Sequence, residues 1–273
     1  MKTGLFSPSG RDTDEQPYRR GNFDFACEWM EGVTNLDELL AHLDALGATD
    51  PGHRYLSTLD DINQCSYTCG HAGQDERLYL DPPDELNWDA PEQVAAWKLA
   101  GLQHVVQQLS NPDVAQGWAD VCGTLAVCGE DVQALVAINR APDQLLDDVV
   151  YVQRLPVATD DLMIAGQPNG YFSVDWDTFQ NHAIIRHLAT HHGYRFFAMG
   201  ASCMGFVRPA PPSANQAGSL VAALRELYGQ GQGSDVLEHE GWAELAQLLS
   251  TRRTLVLGYT EGFAESMGLD GDE

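Results

Sequence analysis

Cys65-Ser-Tyr-Thr-Cys69-Gly-His71 places two thiols and an imidazole on one short stretch, the side-chain types that bind zinc. A zinc knuckle uses Cys-x2-Cys with a matching pair downstream. Here the spacing is Cys-x3-Cys, no second pair follows, and a fourth ligand would come from His53 or elsewhere. Cys65, Cys69 and His71 are the candidate metal set, and zinc is the only cofactor the residue types invite. Two unrelated cysteines in a turn is the competing reading, and on balance no cofactor is expected.

Other chemistry-bearing clusters are incomplete. His182, His187, His191 and His192 lie in one helical stretch, with His187 and His191 four apart on one face. A zinc-protease helix needs a glutamate directly after the first histidine, and Leu188 stands there. Gly200-Ala-Ser-Cys-Met-Gly205 misses the nucleophile-elbow spacing by one residue and leads into strand-like sequence, which favours a hairpin turn. Gly229-Gln-Gly-Gln-Gly-Ser234 follows a helix, lacks the third glycine of a dinucleotide fingerprint, and reads as a cap and linker. No Gly-Lys-Ser/Thr phosphate loop occurs. The carboxylate pairs Asp60/Asp61, Asp147/Asp148, Asp160/Asp161 and Asp175/Asp177 suit general acid–base work by type. With 40 acidic residues in the chain, such pairs arise by chance.

The acids carry a different message as a set. Forty Asp and Glu against 15 Lys and Arg give a formal net charge of −25 over 273 residues, and only Lys2 and Lys98 are lysines. This field repels nucleic acid and anionic lipid and steers basic partners, although general solubility also explains it. Tyr171, Phe172 and Trp176 stand among Asp175 and Asp177, a mixture suited to docking an arginine-rich protein surface. These five residues are the candidate partner-binding patch.

The elements that must position these residues divide the chain unevenly. Residues 1–22 are polar and turn-rich and read as an irregular leader. Residues 23–140 read as a mainly helical region: Leu36, Leu39, Leu40, Leu43 and Leu46 have helical spacing, and Asp89-Ala-Pro-Glu opens a second helix. Helical pieces are also expected near Asp113–Cys128 and Glu130–Asn139. Between Ala48 and Asn87 the pattern is poor. A boundary is expected at Ala141-Pro-Asp, with an α+β domain over 145–262 and an acidic tail over 263–273. Within that domain, strands are expected at Val149–Leu155, Leu162–Ala165, Tyr171–Val174, Tyr194–Met199, Cys203–Val207 and Thr254–Tyr259, with helices at Asp177–His192, Ser213–Tyr228 and Val236–Leu249. The fold class is therefore α+β: a mainly helical N-terminal half followed by a small mixed sheet packed with helices.

Residues 151–260 carry His192-Gly-Tyr194, Arg208-Pro-Ala-Pro-Pro, Ala217 and Leu220 in a helix, Ser234-Asp-Val, Trp242-Ala-Glu-Leu-Ala-Gln-Leu-Leu and a strand ending near Thr260-Glu261. In that order they resemble a bacterial domain family of unknown function, although Gly258-Tyr-Thr-Glu replaces a tryptophan-rich end. The resemblance implies an α+β domain and no established chemistry.

Neither a signal-peptide run nor a membrane-spanning run is present, and the six cysteines read as reduced thiols, so a cytoplasmic protein is expected. The expected function is an acidic, non-enzymatic protein-binding module, for example an inhibitor or immunity-type protein neutralising a basic partner. The alternative is a metal-dependent enzyme using the Cys/His site.

Overall fold

Seven strands form one mixed sheet, drawn from both sides of the boundary expected near residue 140. The computed structural model describes residues 1–7 and 17–266; the acidic tail beyond Ser266 lies outside the described residues. Strands β1 (Lys2–Leu5), β2 (Ala26–Glu31) and β3 (Arg54–Thr58) precede that boundary, and β4 (Val149–Leu155), β5 (Arg195–Met199), β6 (Cys203–Val207) and β7 (Thr254–Gly258) follow it. The spatial order is β1-β2-β4-β3-β5-β6-β7. Because β4 inserts between β2 and β3, residues 23–140 and 145–262 share a sheet rather than forming separate layers.

The α+β class holds, and the strand content of the first half is the correction. β1 sits in the expected leader as an edge strand with three of its four residues exposed, so no apolar alternation marks it. β3 reads poorly because its last two residues are polar. Ser57 and Thr58 are fully buried, the Ser57 hydroxyl donates to the Thr58 carbonyl at 2.6 Å, and Thr58 Oγ1 accepts the Tyr151 N–H at 2.9 Å.

The helices are α1 (Leu36–Thr49), α2 (Ile62–Ala72), α3 (Pro91–Leu109), the single turn α4 (Trp118–Val121), α5 (Gly129–Arg140), α6 (Thr178–His192), α7 (Ala214–Gly229), α8 (Ser234–Leu237), α9 (Gly241–Leu249) and α10 (Phe263–Ser266). Their starts follow local chemistry. Asn35 Oδ1 accepts the Glu38 N–H at 2.8 Å to open α1, Pro91 occupies the first turn of α3, and Ser213 with Gln216 forms a capping box on α7. The stretch Asp113–Cys128 forms only α4. Asp160–Gly166 is a 3-10 turn packed against α3, α6 and β5 instead of a strand, since a four-residue apolar run does not specify extended backbone. Tyr171–Val174 is an exposed turn.

All strand neighbours are antiparallel except β3 and β5, which run parallel with Ser57 opposite Ala198 and Thr58 opposite Met199. Two chains of sequence distant by about 140 positions therefore end side by side at the centre of the sheet. α1 packs on β3, α6 on β5, and α5 covers β7. Most buried apolar residues form one continuous core, with a smaller cluster that includes Phe23, Trp29, Tyr151, Cys65 and Cys69. No described helix is long and apolar enough to cross a membrane.

Candidate functional site

Open α/β sheets bind ligands in the crevice beyond the carboxyl ends of parallel strands, where connections leave in opposite directions. β3 leads through Leu59-Asp60-Asp61 into α2, whereas β5 turns back through Gly200-Ala201-Ser202 into β6. A cleft of about 620 Å³ opens at this divergence. Asp60, Asp61, Asp147, Asp175 and Glu261 line it, and no Lys, Arg or His does so among the described residues.

Asp60 is the innermost of these acids. Its Oδ2 accepts the Ser202 N–H at 2.9 Å, while Oδ1 is shut off from solvent with no hydrogen-bond partner. Burial pushes its carboxyl up to about 6, against the pull of backbone N–H groups led by Ser202. The turn opposite is built around this carboxyl. A Cβ on Gly200 would lie 1.8 Å from Asp60 Oδ1, so only glycine fits. The Tyr259 hydroxyl, pointed at the carbonyls of Gly200 (2.8 Å) and Ala201 (2.6 Å), pins the same turn from the core.

Beneath the turn lies a buried amide layer. Gln167 Nε2 donates to the Met199 carbonyl at 2.7 Å and to Cys65 Sγ at 3.1 Å, and Gln153 Nε2 donates to Gln167 Oε1 at 2.7 Å. Asn169 Nδ2 reaches the Gly200 carbonyl at 3.4 Å. The donor groups of Gln153, Gln167 and Asn169 are each committed to a partner, which ties the floor together, while Gln153 Oε1 is buried without one.

Asp61 shares the β3–α2 loop with Asp60, and the other three acids come from three further loops. Asp61 caps α2 by accepting the Gln64 N–H at 3.0 Å, and its backbone sits at φ 33°, ψ 77°. It is the only non-glycine among the described residues in the left-handed region, a conformation that costs of order 1 kcal/mol and concentrates at functional positions. Asp147 Oδ2 accepts the Ile62 N–H at 2.8 Å at the same helix start. Asp175 Oδ1 accepts the Glu261 N–H at 3.0 Å, and burial, with the like charge of Glu261 adding to it, lifts its carboxyl to about 6. The Trp176 N–H bonds to the Tyr259 carbonyl at 3.0 Å, so the 170–176 loop is fastened to the strand end. Phe172 and Val174 line the cleft and are 46% and 48% exposed, and Leu145 and Leu146 complete an apolar rim. Thr260 Oγ1, also lining the cleft, is buried without a partner.

The expected partner-binding patch is thus split. Tyr171 and Phe172 are exposed and Asp175 lies in the cleft. Trp176 does not reach the surface: it is 1% exposed, donates from Nε1 to Thr124 Oγ1 at 3.0 Å and packs on Tyr228. An indole among acids reads as a docking residue, but burial of its large ring is the stronger force. Asp177 is spent on structure, accepting the Phe179 and Gln180 N–H groups at 2.9 Å each and pairing with Arg77 at 2.9 Å.

The Cys65, Cys69 and His71 set is likewise not brought together. All three lie on α2, where Cys65 and Cys69 face the core and His71 is on the exposed side, stacked on Tyr171 at 4.7 Å. Burial pushes both thiols well above their usual range, so they stay protonated. Among the described residues no group of three His, Cys, Asp or Glu side chains converges as a metal site. His187 and His191 are neighbours at 4.6 Å, but His187 lies flat on Trp118 at 3.6 Å. Thiol labelling under native conditions should modify Cys128, the exposed cysteine, first, with Cys65, Cys69 and Cys203 reacting only after unfolding. Fast native labelling of Cys65 or Cys69 would contradict this burial.

Three of the four carboxylate pairs visible in the sequence contribute to the cleft, through Asp60, Asp61, Asp147 and Asp175. The fourth lies elsewhere: Asp160 is 3.2 Å from Arg54, and Asp161 is 3.2 Å from His182 Nε2. Spacing alone distinguishes none of them; only the parallel pairing of β3 and β5 does. The chain matches no family model, no curated protein and no solved structure.

Proposed function

We propose that this chain is an acidic protein-binding module that takes a basic side chain of a partner protein into the cleft at the ends of β3 and β5. An inhibitor or immunity-type role, in which a basic partner is neutralised, is the concrete form. The observation that carries the reading is the cleft's lining: five acids, with Asp60 held in a largely buried setting, and no base among the described residues. Such a group is costly in the free protein and is relieved by an incoming cation.

The apolar rim suits the partner chemistry. Arginine and lysine carry hydrocarbon stems that cover apolar surface while the charged head seeks an acid. Phe172, 46% exposed at the cleft, offers a ring face where a guanidinium can stack, beside Tyr171, which is itself stacked on His71. The net charge of −25 raises the encounter rate with a basic surface, and the cleft supplies the specificity that a diffuse field lacks.

The test is calorimetric, with a capped peptide bearing one arginine between leucines as the probe at pH 7.5. Asp60→Asn/Asp175→Asn should weaken binding by about thirtyfold or more, as expected when charge-assisted contacts are removed. The exposed pair Asp84→Asn/Glu85→Gln changes net charge equally and should alter affinity by less than about threefold. Equal losses in the two double variants would mean that only the overall field attracts cations, and the cleft reading would fail.

A further inference from the structure

The opposite end of the β5–β6 hairpin has the reverse electrostatic character. Arg195 begins β5 opposite Val207, the last residue of β6, so Tyr194 and Arg208 flank that end. Five-residue strands place it roughly 17 Å from the acidic cleft, at about 3.3 Å per residue. There a depression of about 250 Å³ is lined by His191, His192, Tyr194, Arg208, Gln216 and Ser219, with no carboxylate among its lining residues.

Arg208 differs from Arg186 and Arg225, which also make no ion pair among the described residues but are exposed, in that its Nε is buried. Ion pairs or hydrogen bonds engage many of the other cations, for example Arg54, Arg77, Arg154 and Arg195. Among the described residues Arg208 makes no salt bridge, and its Nε is buried without a hydrogen-bond partner. Its guanidinium lies 5.6 Å from the Tyr194 ring centre. The Tyr194 side chain is 1% exposed; its hydroxyl makes no hydrogen bond of good geometry, and the Arg208 guanidinium is close enough to interact with it. Burial lifts that phenol to about 12, so it is a neutral O–H donor at ordinary pH. Burial, followed by the neighbouring His191 and Arg208, lowers the His192 imidazole below its ordinary value, so it stands beside the depression as a neutral hydrogen-bonding group.

Gln216 and Ser219 come from the first turns of the 16-residue α7, whose N-terminal end carries the positive pole of the helix. The end of α6 opposes an anion, but the Leu188 carbonyl there is covered by the N–H groups of Gly193 and Tyr194. The Arg208 guanidinium, with no carboxylate beside it among the described residues, the Tyr194 side chain and the start of α7 thus line one small depression. We propose that it is a binding site for a small tetrahedral oxyanion of phosphate or sulfate size, held by the Arg208 guanidinium and the Tyr194 hydroxyl with His191 and His192 at its rim. It stands independently of the acidic cleft.

Inorganic phosphate is the probe, measured by thermal unfolding and by titration of backbone amide shifts, with sodium chloride at matched ionic strength as reference. That reference is necessary because any salt screens a charge of −25. Phosphate at about 50 mM should raise Tm by about 4 °C beyond chloride for a Kd near about 1 mM. Arg208→Gln should weaken binding at least about tenfold, and Tyr194→Phe by a smaller factor. Should Arg208→Gln fail to fold, Arg208→Lys retains the charge but loses the planar fork, and should still weaken binding several-fold. Asp60→Asn/Asp175→Asn should bind phosphate as the parent does. A chloride effect equal to that of phosphate, or unchanged phosphate binding in the Arg208 and Tyr194 variants, would overturn the site.

Discussion

Asp60→Asn is expected to stabilise the protein by about 2 kcal/mol at pH 7.5 while weakening its affinity for a cationic probe. The Asp60 carboxyl titrates at about 6 in the folded chain against an ordinary 3.8. A raised carboxyl binds its proton more tightly in the folded state. Its stabilising contribution is therefore complete below about pH 4 and is lost as pH climbs from 4 through 6. At about 1.4 kcal/mol per pH unit the full difference approaches about 3 kcal/mol, and about 2 is expected because Asp60 also lines the cleft. The amide cannot ionise, so the variant should lack that decline. Urea unfolding at pH 4 and 7.5 reads the effect: the variant should gain on the parent only at the higher pH. Equal gains at both values would point to a packing change, and a loss at pH 7.5 would mean that the carboxylate is already compensated. Cation binding has the opposite dependence. It needs the charged carboxylates of Asp60 and Asp175, so affinity should fall as pH drops through about 6.

Asn139→Ala should destabilise the fold by about 3 kcal/mol with no effect on the cleft. β7 is an edge strand, and its outward N–H and C=O at Val256 would be left unpaired in the protein interior. The Asn139 side chain on α5 serves both: Oδ1 accepts the Val256 N–H at 2.8 Å and Nδ2 donates to the Val256 carbonyl at 2.8 Å. Nδ2 also bonds to the Leu135 carbonyl at 2.8 Å. A single amide thus closes the edge where a further strand would pair. Removing it leaves two buried backbone groups unsatisfied, each costing about 1–3 kcal/mol. Chemical denaturation should show a lower midpoint with an unchanged slope. Asn139→Asp should be at least as damaging, since it deletes the donor and buries a charge. A change below about 1 kcal/mol in Asn139→Ala would show that water replaces the amide.

The legible parts of the sequence were those where one residue type does one job. Leucines at helical spacing marked α1, Pro91 marked the first turn of α3, and Asp177 with Gly193 bracketed α6. What escaped was polar residues used inside. Ser57, Thr58, Gln153, Gln167, Asn169 and Asn181 are all buried, and no hydrophobic period can announce them. α2 was hidden for the same reason, since its inward face is Cys65, Thr68, Cys69 and Ala72. The cysteines there looked like ligands because thiols and imidazole were close in sequence, yet a helix turned two of them inward and left the imidazole outside. Trp176 failed as a surface residue through the opposite bias, large aromatic area being driven inside whatever its neighbours are.

The candidate site itself was present in the sequence only as members of an over-abundant class. Asp60 and Asp175 are separated by more than a hundred residues, and neither differs locally from the many acids that sit in solvent. They line one cleft because β3 ends beside β5 and the 170–176 loop is fastened to the end of β7, long-range contacts that carry no short-range mark.

The most direct measurement is the titration of the Asp60 carboxyl carbon by NMR, alone and with the arginine-bearing peptide in excess. A midpoint near 6 in the free protein, falling by at least about one unit when the peptide is bound, is the expected result. A midpoint near the ordinary carboxylate value in the free protein, or one that the peptide leaves unmoved, would contradict a cleft built to receive a cation.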